Sequence, residues 1–155
     1  MIIDAGAGMG AWGRAARHCW PSTCIIGVDL TFETKPPEYD LWRCHDYIGP
    51  MAIYNGADLV IGNPPFSLAE PFVVQAMDDL APGGHCLLRL AFLEGQARGK
   101  DFWPFFPPLA VHVLSRRPSF TGDGISDPKT AYAIFIWRKD YQGETRLGWL
   151  DWGGQ

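Results

Sequence analysis

Short apolar runs alternate with helical segments along this chain of 155 residues, and the alternation constrains the fold more than any other feature. Seven runs predict β-strands, at residues 1–3, 24–29, 41–44, 59–61, 85–93, 111–114 and 132–137. Two segments predict helices, at residues 11–19 and at residues 67–80, where apolar side chains recur with helical spacing.

This order of elements predicts the α/β class. Strands that alternate with helices form a doubly wound parallel sheet covered on both faces. The last two strands have no helical segment between them, so they are predicted to pair antiparallel. We therefore expect a mostly parallel, seven-stranded sheet with a final antiparallel strand, in one domain spanning residues 1–155.

The connecting segments give weaker signals. Ser67 with Glu70 three residues later predicts a capping box at the start of the second helix. Residues 94–108 predict an irregular helix or loop, and residues 115–129 a polar loop punctuated by glycine and proline. No element is assigned to residues 141–155.

Composition narrows the class of protein. With 47% hydrophobic and 19% charged residues the chain is a folded globular protein, and no apolar run of about 18 residues indicates a membrane span. The net charge of −4 argues against strong nonspecific binding to nucleic acid. The charge is uneven, because residues 1–80 carry −6 and residues 81–155 carry +2. The four cysteines lack paired C-x-x-C spacing, which favours free thiols in a reducing compartment and no metal site.

The segment Asn63-Pro64-Pro65-Phe66 follows a buried strand and is the strongest functional signal. A polar amide, two prolines and an aromatic ring are unfavourable in a core, but suit the mouth of a site. The prolines stiffen the backbone and lack N–H groups, so carbonyl oxygens are left as acceptors. With the flat face of Phe66, the segment predicts a cradle for a planar amino group attached to a ring. The alternative is a local turn with Phe66 in the core.

A glycine-rich turn closes the first strand, with the sequence Asp4-Ala5-Gly6-Ala7-Gly8-Met9-Gly10. Gly8, Gly10 and Gly13 also match a dinucleotide fingerprint, but that fingerprint starts directly after its strand. The carboxylate of Asp4 would repel a pyrophosphate and suits a ligand with a positive end. Asp29 ends the second strand, where a carboxylate can accept hydrogen bonds from ribose hydroxyls, and Asp46 is a candidate for an adenine amine.

Taken in order, these residues resemble the class I S-adenosylmethionine-dependent methyltransferases that act on exocyclic amino groups. The later segment Arg117-Pro118-Ser119-Phe120-Thr121-Gly122, followed by the strand at residues 132–137, is similar to small phage-type adenine-N6 DNA methyltransferases. The resemblance implies S-adenosylmethionine as cofactor and DNA, favoured over RNA, as partner. It implies these roles: Asp4, Ala5, Gly6 and Gly8 for the methionine part, Asp29 for the ribose, Asp46 for the adenine, and Asn63, Pro64, Pro65 and Phe66 for catalysis. Phe120, Arg116 and Arg117 are candidate substrate contacts.

The sequence is compatible with several alternatives. Adenine in RNA suits the same motif, whereas glutamine-amide enzymes typically carry tyrosine at the position of Phe66 and cytosine-N4 enzymes more often begin the motif with serine. Because the glycine turn follows Met1 so closely, we expect that the family's N-terminal segment and a separate target-recognition domain are missing. We therefore expect low sequence specificity, and a homodimer or a non-catalytic partner subunit is an alternative. The expected location is the cytoplasm of a bacterial or phage-infected cell.

Overall fold

The computed structural model describes residues 1–31, 34–49, 54–91, 95–115 and 132–151. These residues form eight strands: β1 (Ile2–Ala5), β2 (Ile25–Asp29), β3 (Leu41–Cys44), β4 (Ala57–Gly62), β5 (Leu80–Ala91), β6 (Ala110–Leu114), β7 (Tyr132–Arg138) and β8 (Arg146–Leu150). They also form three α-helices: α1 (Ala11–Cys19), α2 (Ala69–Asp79) and α3 (Gln96–Asp101). A 3-10 turn spans Phe66–Leu68.

All eight strands belong to one sheet, in the order β3-β2-β1-β4-β5-β7-β6-β8. The first five pair in parallel, whereas β7 runs antiparallel to both β5 and β6. The predicted α/β class and the antiparallel pairing of the last two predicted strands are confirmed. Strand order reverses between β1 and β4, and open sheets of this kind bind ligands at the carboxyl ends of the strands beside such a switch.

The eighth strand lies in the tail for which the sequence predicted no element. It pairs in parallel with β6, with Ala110 opposite Arg146. Leu147 and Trp149 on β8 are 61% and 71% exposed. Exposed apolar side chains separated by a glycine do not show the buried-strand pattern from which the other strands were predicted.

The core lies on both faces of the sheet, as alternation along each strand requires. On one face, Phe72 and Val73 of α2 pack with Val60 and Leu88 of the strands. On the other face, Ala16 of α1 joins a second cluster: Ile2, Ala7, Ile25, Tyr39 and Ile61. None of the described helices is long and apolar enough to cross a membrane.

The predicted capping box at Ser67 is wrong. Helix α2 begins at Ala69, and its N-cap residue, Leu68, makes no side-chain capping hydrogen bond. Pro65 holds an extended backbone, and the 3-10 turn that follows is closed by the Leu68 amide donating to the Pro65 carbonyl at 2.9 Å. Ser67 therefore lies inside that turn, and the Glu70 carboxylate pairs with Arg98 instead.

Gly62 sets how closely β4 approaches β1. A Cβ atom placed on Gly62 would lie 2.4 Å from the backbone oxygen of Ala5, the residue opposite it in the register. A larger residue would push the strands apart, because that contact is with backbone and cannot move aside. The glycine therefore brings Asn63, the next residue, close to the turn that follows β1.

Candidate active site

The residues predicted to bind ligand follow neighbouring strands at one edge of the sheet. Asp4 lies within β1, Asp29 ends β2, Asp46 follows β3 and Asn63 follows β4. Because these four strands are parallel, their carboxyl ends meet at the same edge. The structure therefore brings the two halves of the predicted site, the acidic residues and the Asn63 segment, to one edge.

The glycine turn after β1 is tied to the end of β2. The backbone amides of Gly6 and Ala7 donate to the carbonyl of Val28 at 2.9 and 3.0 Å. Gly8 adopts φ 52°, a left-handed conformation that favours glycine, and its amide donates to Asp29 Oδ2 at 2.8 Å. A Cβ atom on Gly8 would meet nothing within 4 Å, so the space above this turn is open.

Asp29 is held in place from two sides. Its Oδ2 accepts from Gly8, and its Oδ1 accepts from the backbone amide and the hydroxyl of Thr31 at 2.8 and 2.9 Å. Three donors fix the orientation of this half-buried carboxylate at the end of β2. A fixed carboxylate is suited to binding vicinal hydroxyls, because little side-chain freedom is lost when they bind.

Asp4 is fully buried, at 0% exposure, rather than open to solvent. Its Oδ2 accepts a hydrogen bond from the Tyr39 hydroxyl at 2.6 Å, whereas Oδ1 has no hydrogen-bond partner among the described residues. Burial raises the pKa of Asp4 to about 7, although the hydrogen bond from Tyr39 favours the ionised form; the nearby charge of Asp29 adds to the rise. Asp4 therefore changes charge near neutral pH.

Two glycines of the apparent dinucleotide fingerprint make room for Tyr39. A Cβ atom on Gly13 would lie 2.3 Å from the Tyr39 ring, and one on Gly10 would lie 3.2 Å from it. The ring is 2% exposed and packs beside Trp42, with 5.2 Å between ring centroids. Gly10 and Gly13 thus admit an aromatic side chain, which explains the glycine spacing without a dinucleotide.

Asp46 is exposed, and its loop is anchored to the end of α2. Asp46 Oδ1 accepts from the Ile48 amide at 3.1 Å. Asp79 is buried and accepts from the Tyr47 hydroxyl at 2.8 Å and from the Tyr54 amide at 3.2 Å. Burial raises the pKa of Asp79 in spite of these hydrogen bonds. These hydrogen bonds attach Tyr47 and Tyr54, at the two described ends of the loop that carries Asp46, to Asp79 at the end of α2.

The Asn63–Phe66 segment lines an open cavity of about 370 Å³ together with Tyr132. Asn63 is half-buried and Pro64 is buried. Phe66 is 39% exposed and lies beside Tyr132, with ring centroids 5.7 Å apart and planes at 47°. The Phe66 ring is therefore not buried in the core. The rings of Phe66 and Tyr132 line the cavity next to the Asn63 amide.

Arg89 is a site residue that the sequence analysis missed. Its Nε donates to Asn63 Oδ1 at 3.1 Å, and its guanidinium lies 5.7 Å from the centre of the Tyr132 ring. A signal was present in the sequence, because Arg89 is the single charge within the apolar run Cys86-Leu87-Leu88-Arg89-Leu90. Tyr132 was assigned only as the first residue of a strand, although it contacts both Phe66 and Arg89.

A second cavity, of about 440 Å³, lies at the opposite edge of the sheet. It lies near the amino end of β1 and is lined mainly by apolar residues, among them Ile2, Leu59 and Leu87. None of the predicted site residues lines it, and it is larger than the cavity at Asn63. We place the site at Asn63 because backbone acceptors, an amide and a fixed carboxylate meet at that edge.

Three predicted substrate contacts, Arg116, Arg117 and Phe120, lie outside the described residues. Within the described ranges no group of three His, Cys, Asp or Glu side chains is placed to hold a metal ion.

Solved structures of methyltransferases are similar in fold to this chain. A protein from Agrobacterium tumefaciens described as a predicted O-methyltransferase superposes with a TM-score of 0.66 at 18% identity, covering 99% of this chain and 82% of its own. A putative class I S-adenosylmethionine-dependent methyltransferase from Listeria monocytogenes gives 0.68 at 14% identity, covering 99% of this chain and 58% of its own. The fold is that of the class I methyltransferases.

A third similar structure is an enzyme from Catenulisporales acidiphilia described as a 16S rRNA (adenine(1408)-N(1))-methyltransferase with its cosubstrate. It gives a TM-score of 0.63 at 13% identity, covering 89% of this chain and 84% of its own. No protein-family model matches the sequence, and no curated protein matches it. At these identities the likeness concerns the fold.

Proposed function

We propose that this protein transfers a methyl group from S-adenosylmethionine to the exocyclic N6 of adenine in DNA. The observation that carries the proposal is the position of Asn63-Pro64-Pro65-Phe66. The segment lines a cavity of about 370 Å³ at the carboxyl end of β4, at the same sheet edge as the glycine turn and Asp29. The proposed acceptors for the target amine therefore lie at the same edge as the residues proposed to bind the methyl donor.

The residues around the glycine turn fit S-adenosylmethionine. The space above Gly8 is open, and its amide fixes Asp29 at the position proposed for the ribose hydroxyls. Asp4, with Ala5, Gly6 and Gly8, is proposed for the methionine part, since these residues belong to β1 and to the glycine turn that follows it. Asp46, exposed after β3, is proposed for the adenine. When bound, the cofactor supplies an electrophilic methyl group on a sulfonium sulfur.

Asn63 and Pro64 are proposed to activate the target amine. The adenine amine is a poor nucleophile because its lone pair is conjugated into the ring. Acceptors on its two N–H groups, Asn63 Oδ1 and the Pro64 carbonyl, favour a tetrahedral nitrogen with a localised lone pair. The Pro65 carbonyl is the weaker candidate, because it already accepts from Leu68 at 2.9 Å. Positioning of the amine in line with the methyl group supplies much of the acceleration.

Phe66 and Tyr132 are proposed to hold the target base. Stacking of a base on an aromatic side chain is worth about 1–3 kcal/mol. A base inside a duplex must first leave the stack, at a cost of a few kcal/mol. Phe66 offers an exposed ring beside the amide, and the Tyr132 ring packs against it with 5.7 Å between centroids, so stacking here offsets much of that cost.

The wider substrate surface is proposed on the sequence alone. Arg116 and Arg117 are candidates for phosphate contacts, and Phe120 for a second ring on the base. We also propose that residues 1–155 form a single domain and that transfer has low sequence specificity. A homodimer or a partner subunit would add recognition surface.

The test is transfer of labelled methyl groups to single-stranded DNA, duplex DNA and RNA, followed by nucleoside mass spectrometry. The proposal expects N6-methyladenine from DNA, and its loss in Asn63→Ala with cofactor binding retained by calorimetry. Methylated product from RNA but not from DNA would indicate that the substrate is RNA, the class named for one of the similar structures. Cofactor binding without transfer to any substrate would favour a non-catalytic partner subunit.

A further inference from the structure

Arg89 and Asn63 lie next to each other because of the register between β4 and β5. Gly62 is opposite Leu88 in this parallel pair. Asn63 follows Gly62 and Arg89 follows Leu88, so both side chains leave the sheet at the same level. The geometry places Arg89 Nε 3.1 Å from Asn63 Oδ1.

The Arg89 guanidinium lies beside an aromatic ring and is partly shielded from solvent. It is half-buried and lies 5.7 Å from the centre of the Tyr132 ring, a distance typical of a cation–π contact. Burial lowers the pKa of Arg89, and its electrostatic interaction with Tyr132 opposes that change. A charge in such surroundings is unfavourable unless polar groups compensate it, and the Asn63 oxygen is one of those groups.

The chemistry of the two groups settles which way the Asn63 amide faces. A guanidinium carries only donors, whereas an asparagine amide presents an oxygen on one side and an NH2 group on the other. The contact is therefore favourable only when Oδ1 faces Arg89. Rotation of the amide by half a turn would set donor against donor and would remove the acceptor from its place.

We infer that Arg89 is a positioning residue that fixes the side-chain amide of Asn63 with its oxygen as the acceptor for the target amine. The inference rests on the proposed function, since it concerns the same amine. A carbonyl oxygen accepts two hydrogen bonds, so the contact with Arg89 is compatible with a second one from the substrate. Arg89 also contacts Tyr132, which packs on Phe66, so it lies next to the two rings proposed to hold the target base.

The first experiment compares Arg89→Met with Arg89→Lys, and uses Arg138→Met as control. Arg138 is an exposed residue of β7, paired with His85 near the opposite edge of the sheet. We expect Arg89→Met to lower kcat about 10- to 100-fold, the range for a misplaced group, with KM for S-adenosylmethionine unchanged. Arg89→Lys, which keeps a charged donor, should retain more activity, and Arg138→Met should match wild type.

The second experiment removes the need for orientation. Asn63→Asp presents two equivalent oxygens, so no donor is required to select one. In that background Arg89→Met should lower kcat by a smaller factor than it does in the wild-type background. An equal loss from Arg89→Met in the wild-type and Asn63→Asp backgrounds would overturn the inference, as would wild-type kcat in Arg89→Met.

A measurement without catalysis separates this inference from the proposed function. The Asn63 side-chain NH2 signals, assigned by their disappearance in Asn63→Asp, should shift in Arg89→Met and show a lower heteronuclear NOE. Unchanged signals would overturn the inference whatever the protein methylates. If the signals shift in Arg89→Met but the wild-type protein forms no methyladenine, the role of Arg89 in holding the amide is supported and the proposed reaction is rejected.

Discussion

Replacing Asp4 by asparagine should change how the stability of the protein depends on pH. The Asp4 carboxyl is fully buried, with burial raising its pKa from the ordinary value of 3.8 to about 7. The unfolded chain exposes this group to water, where it titrates near the ordinary value. Between these two pKa values the folded state therefore binds more protons than the unfolded state.

The sign and size of the effect follow from this difference. Because the folded state binds the extra proton, the free energy of unfolding contributed by Asp4 is fully present below about pH 4. It is lost as the pH rises to about 7. A shift of about three pKa units at about 1.4 kcal/mol per unit gives roughly 4 kcal/mol over this window. The amide introduced by Asp4→Asn cannot ionise, so the variant should not lose this stability. Its free energy of unfolding, relative to that of wild type, should therefore increase by roughly that amount between about pH 4 and pH 8.

The assay is urea unfolding of both proteins at several pH values between about 5 and 8. Tyr39→Phe serves as the matched variant, because it keeps the ring but removes the hydroxyl that donates to Asp4 at 2.6 Å. That loss should raise the pKa of Asp4 further and extend the fall in stability to higher pH. In an Asp4→Asn background, Tyr39→Phe should not change the pH profile. Parallel profiles for wild type and Asp4→Asn would refute the reasoning.

Two further predictions concern packing and the base. Gly13→Ala should lower the free energy of unfolding by about 1–3 kcal/mol in urea, since its Cβ would lie 2.3 Å from the Tyr39 ring. Gly99→Ala, in a helix with open space around it, should stabilise by up to about 1 kcal/mol, and an equal loss at both sites would contradict the packing argument. Phe66→Ala should weaken binding of a single-stranded, adenine-containing oligonucleotide about 5- to 150-fold in fluorescence anisotropy. Leu68→Ala, similarly exposed at 36% against 39%, should not weaken it, and equal effects would argue against stacking.

Much of the sheet was predictable from local pattern. Strands such as Ile25–Asp29 are short apolar runs that end at a polar residue, and helix α1 over Ala11–Cys19 was predicted with its observed bounds. The parallel order then follows from alternation with helices, so the sharing of one edge by Asp29 and Asn63 was predictable as well. The prolines before Phe66 overrode the helix start that Ser67 suggested.

Contacts between distant parts of the chain were not predictable in this way. Tyr39 meets Asp4 across 35 residues, and Arg89 meets Asn63 across 26. No short pattern links such pairs, because strand register and loop packing bring them together. Strand β8 was missed for a different reason, since its exposed Leu147 and Trp149 do not show the burial that marks the other strands.

The most direct measurement is mass spectrometry of nucleosides from DNA and RNA incubated with the protein and labelled S-adenosylmethionine, with Asn63→Ala alongside. Labelled N6-methyladenine in the DNA digest, absent with the folded variant that still binds the cofactor, is the predicted result. Label on another atom or another nucleoside, or equal N6-methyladenine from wild type and Asn63→Ala, would contradict the account.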